Sequence, residues 1–187
     1  MNAEVLSKLL AEIQPALVAA VTDGIRNHVA KLRSQGKEFY GYALLPGEPY
    51  DIHSLVAVTN NEDDIKVPTT DDQYHYYRFS VDEWEEWHQN EFASVKALLT
   101  GANKRFALMH PAAPSNCIMD KFEVAYSNGL LGAIVDGINA TKTSGVFGDN
   151  APFLVVWISD SDEAVIIESV KHLNSPAIAN EFMMEFG

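Results

Sequence analysis

Three consecutive stretches decide the fold: Phe39-Tyr40-Gly41-Tyr42-Ala43-Leu44-Leu45, then Pro46-Gly47-Glu48-Pro49, then Leu55-Val56-Ala57-Val58-Thr59. The first is aromatic-rich and the last is apolar with β-branched residues, as suits strands. Proline and glycine between them are turn formers, so the order predicts a β-hairpin. Tyr74 to Phe79 reads as a third strand, with Tyr74, Tyr76 and Arg78 on one face and His75, Tyr77 and Phe79 on the other. Phe153 to Ser159 is apolar on both faces and predicts a buried central strand.

Helices flank this β region. Leu6, Leu9, Leu10, Ile13, Leu17, Val21, Ile25, Val29 and Leu32 recur every three or four residues, predicting a helix over 3–34 with Gly36 as its stop. Pro15 removes a backbone donor inside that pattern and predicts a kink or two abutting helices. Ser80-Val81-Asp82-Glu83 has the spacing of a capping box and predicts a helix to about Leu99, ended by Gly101. Residues 107–118 read as a loop. A second helix is predicted from about Met119 to Ala140, where Gly129, Gly132 and Gly137 suit close packing against another element. The segment Ala164–Leu173 fits a strand or a helix. Asn174 or Ser175 can cap a last helix that has Pro176 at its first position. The order is α-βββ-α-α-β-(β/α)-α over a single domain, 1–187. Strands and helices are partly segregated, which favours α+β: an antiparallel or mixed sheet covered by helices.

Composition bounds the chemistry. The chain has 187 residues with 13 Lys+Arg against 26 Asp+Glu, a formal net charge of −13. Such a chain is poorly suited to holding a phosphate backbone, so nucleic acid is not expected as a partner. No unbroken apolar run approaches the ~18 residues of a spanning helix, and no basic region precedes an apolar run at the N-terminus. Neither a membrane nor a secretory route is expected, and the cytoplasm is the default location. One cysteine, Cys117, cannot form an internal disulfide.

Searches for catalytic signatures fail. There is no Gly-x-Gly-x-x-Gly, His-Glu-x-x-His or Gly-x-Ser-x-Gly. Gly137 to Thr143 lacks the second glycine of a phosphate loop. The six histidines are scattered, so no zinc site and no cofactor is expected. Cys117 with His110 near it in sequence lacks any mark of an activated thiolate. Asp160-Ser161-Asp162-Glu163 follows the predicted buried strand, where carboxylates can bind a divalent cation or act as acid and base. They are equally ordinary turn formers. Arg78 is expected to form an ion pair with nearby carboxylates. The aromatics Tyr74, Tyr76, Tyr77, Phe79, Trp84 and Trp87 read first as packing.

Charge is the most informative feature. Residues 48–91 hold twelve Asp/Glu and two Lys/Arg, and residues 160–187 hold six and one. A local excess of this size steers cationic partners toward it, although a merely solvated face has the same composition.

Phe39-Tyr40-Gly41-Tyr42-Ala43-Leu44, the run Arg78-Phe79-Ser80-Val81-Asp82-Glu83-Trp84, and the late Val155-Val156-Trp157-Ile158-Ser159-Asp160-Ser161 with Glu168-Ser169-Val170 and Leu173-Asn174 together resemble the bacterial domain-of-unknown-function family 4303. That family carries a Phe-Tyr-Gly-Phe-Ala strand, an Arg-Trp-Ser-Pro-x-Glu-Trp junction and a Ser-x-x-x-Leu-Asn ending. This chain has Phe79 for the tryptophan and Val81 for the proline. The resemblance covers most of the chain and brings no established activity, cofactor or catalytic residue. By analogy alone, small acidic proteins of this kind suggest immunity or interaction roles.

The leading expectation is therefore a non-enzymatic acidic binding module for a basic protein, immunity-protein-like. Its contact residues would be Asp63, Asp64, Asp71, Asp72, Tyr74, Tyr76, Asp82, Glu85 and Glu86. The alternative is a small hydrolase or cation-dependent enzyme using Asp160, Asp162 and Glu168. Oligomeric state is left open by the sequence.

Overall fold

The computed structural model describes residues 1–48, 51–88, 90–111, 119–159, 161 and 164–187. Helix α1 spans Ala3–Ser34, capped by the Asn2 side chain on the Val5 amide at 2.9 Å. It runs through Pro15 as one helix. Pro15 and Ala11 are both exposed, so water can serve the carbonyl that proline leaves unpaired. α1 is the one described helix long and apolar enough to cross a membrane by length and composition, which a search for unbroken apolar runs does not reveal. Its stripe from Leu6 to Leu32 is buried in the core of this fold.

The hairpin forms as expected, with β1 at Gly41–Glu48 and β2 at Asp51–Asn60, antiparallel with Gly41 opposite Asn60. Strand β1 continues through Pro46, and the register shifts between Leu45 and Gly47, whose φ is +112°. The third strand is not where alternation puts it. Tyr74–Phe79 is a short helix, α2, of which only Phe79 is buried. Neighbours four apart interact along it: Arg78 donates to the Tyr74 hydroxyl at 2.9 Å, and His75 stacks on Phe79. In a run of amphipathic aromatics, alternation carries little information, and these i,i+4 contacts suit a helix.

The capping box at Ser80 also fails to form. Ser80 makes no side-chain cap, and the Glu83 carboxylate accepts instead from Lys66 at 2.8 Å. A 3₁₀ turn at Val81–Glu83 leads to an extended Trp84, then to the third strand, β3, at Glu86–His88. The buried Trp84 indole packs over Gly41 so closely that a β-carbon there would lie 2.4 Å from the ring. That anchor holds the chain extended where a helix was expected. The next helix, α3, starts only at Ala93 and runs to Met109, passing through Gly101.

Helix α4, Lys121–Thr143, opens on a capping box formed by Asp120 and Glu123. It lies close along α1. A β-carbon at Gly129 would meet the Leu10 side chain at 2.7 Å, and one at Gly137 would meet Val21 at 2.6 Å. Gly132 has open space instead, so close packing explains two of the three glycines. Strand β4, Phe153–Val156, pairs parallel to β1. The mixed sheet has the order β3-β2-β1-β4, so β4 is an edge strand rather than a central one.

Both faces of β4 are nevertheless buried. Leu154 and Val156 join the core under α1, α3 and α4, whereas Phe153 and Val155 join a second core with Phe79, Trp84, Val170 and Phe182. The undecided segment is helix α5, Ala164–Leu173, and the last helix, α6, is Pro176–Phe186 with Ser175 as its N-cap. α5 closes the outer edge of β4 with side chains. The Asn174 carboxamide accepts from the Leu154 amide at 2.8 Å and donates to the Leu154 and Val170 carbonyls at 2.7 and 2.9 Å. Ser169 Oγ accepts from the Val156 amide at 3.1 Å. These bonds replace a missing neighbour strand. Asn174→Leu leaves the Leu154 amide and carbonyl unpaired, while the Val170 carbonyl keeps the backbone amide of residue 174, and should cost about 2–3 kcal/mol in urea unfolding, against about 1 kcal/mol for Ser169→Ala. Equal losses for the two variants would contradict this assignment.

Candidate functional site

Three chain ends meet at one end of the sheet: the end of α1, the start of β1 and the end of β2. Gly36 makes this possible. At φ +70° it terminates α1 with paired bonds, Gly36 amide to Arg33 carbonyl and Lys37 amide to Leu32 carbonyl, both 3.0 Å. This is the Schellman arrangement, and it turns Lys37 toward β3. There Lys37 Nζ reaches both carboxylate oxygens of Glu86, at 2.6 and 2.7 Å. At the end of β2, Asn61 Oδ1 accepts from the Asp63 amide and caps a 3₁₀ turn, Glu62–Asp64.

A cleft of about 340 Å³ lies between these elements, lined among others by Leu32, Lys37, Glu38, Phe39, Asn60, Asn61, Asp63, Asp64 and Glu86. Among the described lining residues four are carboxylates and one, Lys37, is a cation. Glu86 is already held by Lys37, whereas Asp63 and Asp64 make no ion pair with any described residue.

Of the side chains that sequence reasoning grouped together, three share this cleft: Asp63, Asp64 and Glu86. The others are dispersed from it. Asp71 accepts from the Gln73 amide at the start of α2, and Asp82 accepts from Ser159 Oγ at 2.6 Å. Tyr74 partners Arg78, and Tyr76 stacks on Phe186. Asp72 and Glu85 are exposed or nearly so and do not line the cleft. Much of the surrounding negative charge is met by the chain's own cations: Glu62 by Arg78, Glu83 by Lys66 and Glu91 by Lys31. The expected Arg78 ion pair is thus with Glu62, at 2.8 Å, while its guanidinium also lies 4.8 Å above the Tyr40 ring.

Asp160 and Asp162 lie outside the described residues, as does Cys117. Glu168 is exposed on α5 and lines a separate cleft of about 490 Å³ with Asp136 and His172. Among the described residues no three His, Cys, Asp or Glu side chains are arranged to hold a metal ion. His110, weighed as a partner for Cys117, engages Asp120 at 2.7 Å.

Sequence reasoning missed a buried polar cluster behind the cleft. His28 on α1 is fully buried, its Nδ1 2.9 Å from the Tyr42 hydroxyl and its ring 4.4 Å from that of His88 on β3. Sixty residues separate the two histidines, so no local spacing signals the pair. Neither Nε2 has a hydrogen-bond partner among the described residues. Burial, and next the neighbouring His88, push the His28 pKa down from 6.5 to about 4. Burial likewise raises the Tyr42 hydroxyl well above its ordinary range.

The molecule is thus an α+β domain with an acidic cleft at one end of a four-stranded mixed sheet. Its chain matches the model of domain of unknown function 4303 over residues 21–175 and belongs to that family. No curated protein and no solved structure gives a significant match. The motifs that carry the resemblance touch one another in the fold. Gly41 receives the Trp84 indole, the Tyr40 hydroxyl donates to the Arg78 carbonyl at 2.9 Å, and Ser169 and Asn174 seal β4.

Because the folded pKa of His28 lies below that of the unfolded chain, the unfolded chain takes up its proton first. Stability should fall as pH drops from about 6.5 to 4, by up to about 3 kcal/mol from this residue, and change no further on its account below that. His28→Gln should flatten the unfolding free energy across that window. Parallel pH profiles for the two proteins would refute the assignment.

Proposed function

We propose that this domain is a non-enzymatic binding module whose acidic cleft receives a cationic side chain of a basic protein partner. The observation that carries this reading is the imbalance inside the cleft. Among the described residues, Glu38, Asp63, Asp64 and Glu86 face a space with Lys37 as its one cationic lining residue, and the two aspartates lack ion pairs. The cleft volume lies near the lower end of ligand pockets, roughly 300–1,000 Å³, which suits one long side chain rather than a large cofactor. Elsewhere in the 62–91 region several carboxylates already hold a cation of this chain, so the gain from binding concentrates where carboxylates lack one. An immunity protein that masks a basic toxin is one concrete form of this activity.

A hexa-arginine peptide serves as the probe, with binding followed by calorimetry. The double substitution Asp63→Asn and Asp64→Asn should weaken binding about tenfold, on the order of 1.4 kcal/mol. Asp71→Asn with Asp72→Asn removes the same charge outside the cleft and should change affinity less than about twofold. Equal weakening by both pairs would mean that net charge alone attracts the peptide, and the cleft would have no special role.

A further inference from the structure

The two edges of the sheet are treated differently. At β4, Asn174 and Ser169 occupy the backbone groups of the outer edge. At β3 no described residue hydrogen-bonds to the backbone on the side away from β2. Trp87, at the middle of β3, is 47% exposed, while the other two tryptophans are buried.

Register places the side chains of this open edge. Glu86 pairs with Thr59 and His88 with Ala57, so both lie on the α1 face of the sheet. Trp87 pairs with Val58 and lies on the opposite face, where Val58 packs with Trp84. A strand added along β3 would present alternate side chains to the cleft carboxylates and to the Trp87 ring. Glu86 lies on the cleft face, opposite to the exposed indole, and Glu85, next to it in sequence, is exposed. Charge selects the occupant: a second copy pairing through the same edge would bring Glu86 and the neighbouring Glu85 against their own kind, whereas a basic strand places a cation opposite Glu86 and its alternate residue over the indole face. The brevity of β3, three residues, is itself a safeguard against self-association.

We infer that the basic partner binds as an extended segment that adds a fifth strand along β3, with one cationic side chain in the cleft and the next outward-facing residue on Trp87. This rests on the acidic-cleft reading and specifies how the partner is held.

The test uses the whole chain and an eight-residue peptide of alternating arginine and valine, beside the same peptide with alternate backbone nitrogens methylated. Methylation keeps the charge and removes the donors that a ladder needs. The unmethylated peptide should slow amide hydrogen exchange at Glu86–His88 at least threefold and bind at least tenfold more tightly than the methylated one. Equal binding of the two peptides, still sensitive to Asp63→Asn with Asp64→Asn, would overturn strand addition and leave the cleft reading standing. Failure of both peptides to bind would overturn both. Slow exchange at β3 in the free protein together with a dimer by sedimentation would assign the edge to a second copy and overturn the proposal.

Discussion

One carboxamide, that of Asn174, holds the sheet to the helices that follow it. Its bonds to Leu154 stand in for a neighbouring strand, and its bond to Val170 ties the same group to α5. The parallel strand β4 can therefore lie at the edge and still be buried on both faces. Because α5 occupies that edge, any added strand must come to β3, at the other side of the sheet. The layer of α1 and α4 depends on a second constraint of the same kind, the missing side chains of Gly129 and Gly137, which let the two helices approach.

Elements with a strong local pattern were legible in the sequence. The nine-residue stripe of α1, the two strand-like runs on either side of Gly47 and the proline after Ser175 each point to one structure, and the fold has it, although β1 runs on through Pro46 and Gly47 where a turn was expected. Most errors lie between residues 74 and 101, where local rules conflict with distant contacts. Ser80 and Glu83 have capping-box spacing, yet Trp84 is anchored on Gly41, forty-three residues away in sequence, and Glu83 is drawn to Lys66. Tyr74–Phe79 alternates like a strand, but Phe79 alone is buried, in the core with Phe153 and Phe182. The central placement expected of β4 followed from its apolarity, which reports burial and says nothing about how many strands adjoin it.

The candidate site was half visible. Charge counting finds Asp63, Asp64 and Glu86, but it cannot tell a carboxylate that meets Lys66 or Arg78 from one that faces a cleft. That distinction needs α1 to end at Gly36 and deliver Lys37 to β3. The His28–His88 contact shows the same limit, since its two halves join only when α1 packs across the sheet. The anionic side chains thus include carboxylates held in internal ion pairs, exposed carboxylates such as Asp72, Glu85 and Glu168, and a smaller set gathered at one end of the sheet.

The central claim is that this smaller set creates a local negative potential at the cleft. Paramagnetic relaxation of backbone amides by a cationic and by an anionic nitroxide cosolute, compared at low salt, reads that potential site by site. The account predicts that the cationic probe is most enriched at Asn60–Asp64 and at Glu86, above the level at Asp71, Asp72 and Asp82. A ratio uniform over the surface, or highest away from the cleft, would contradict it.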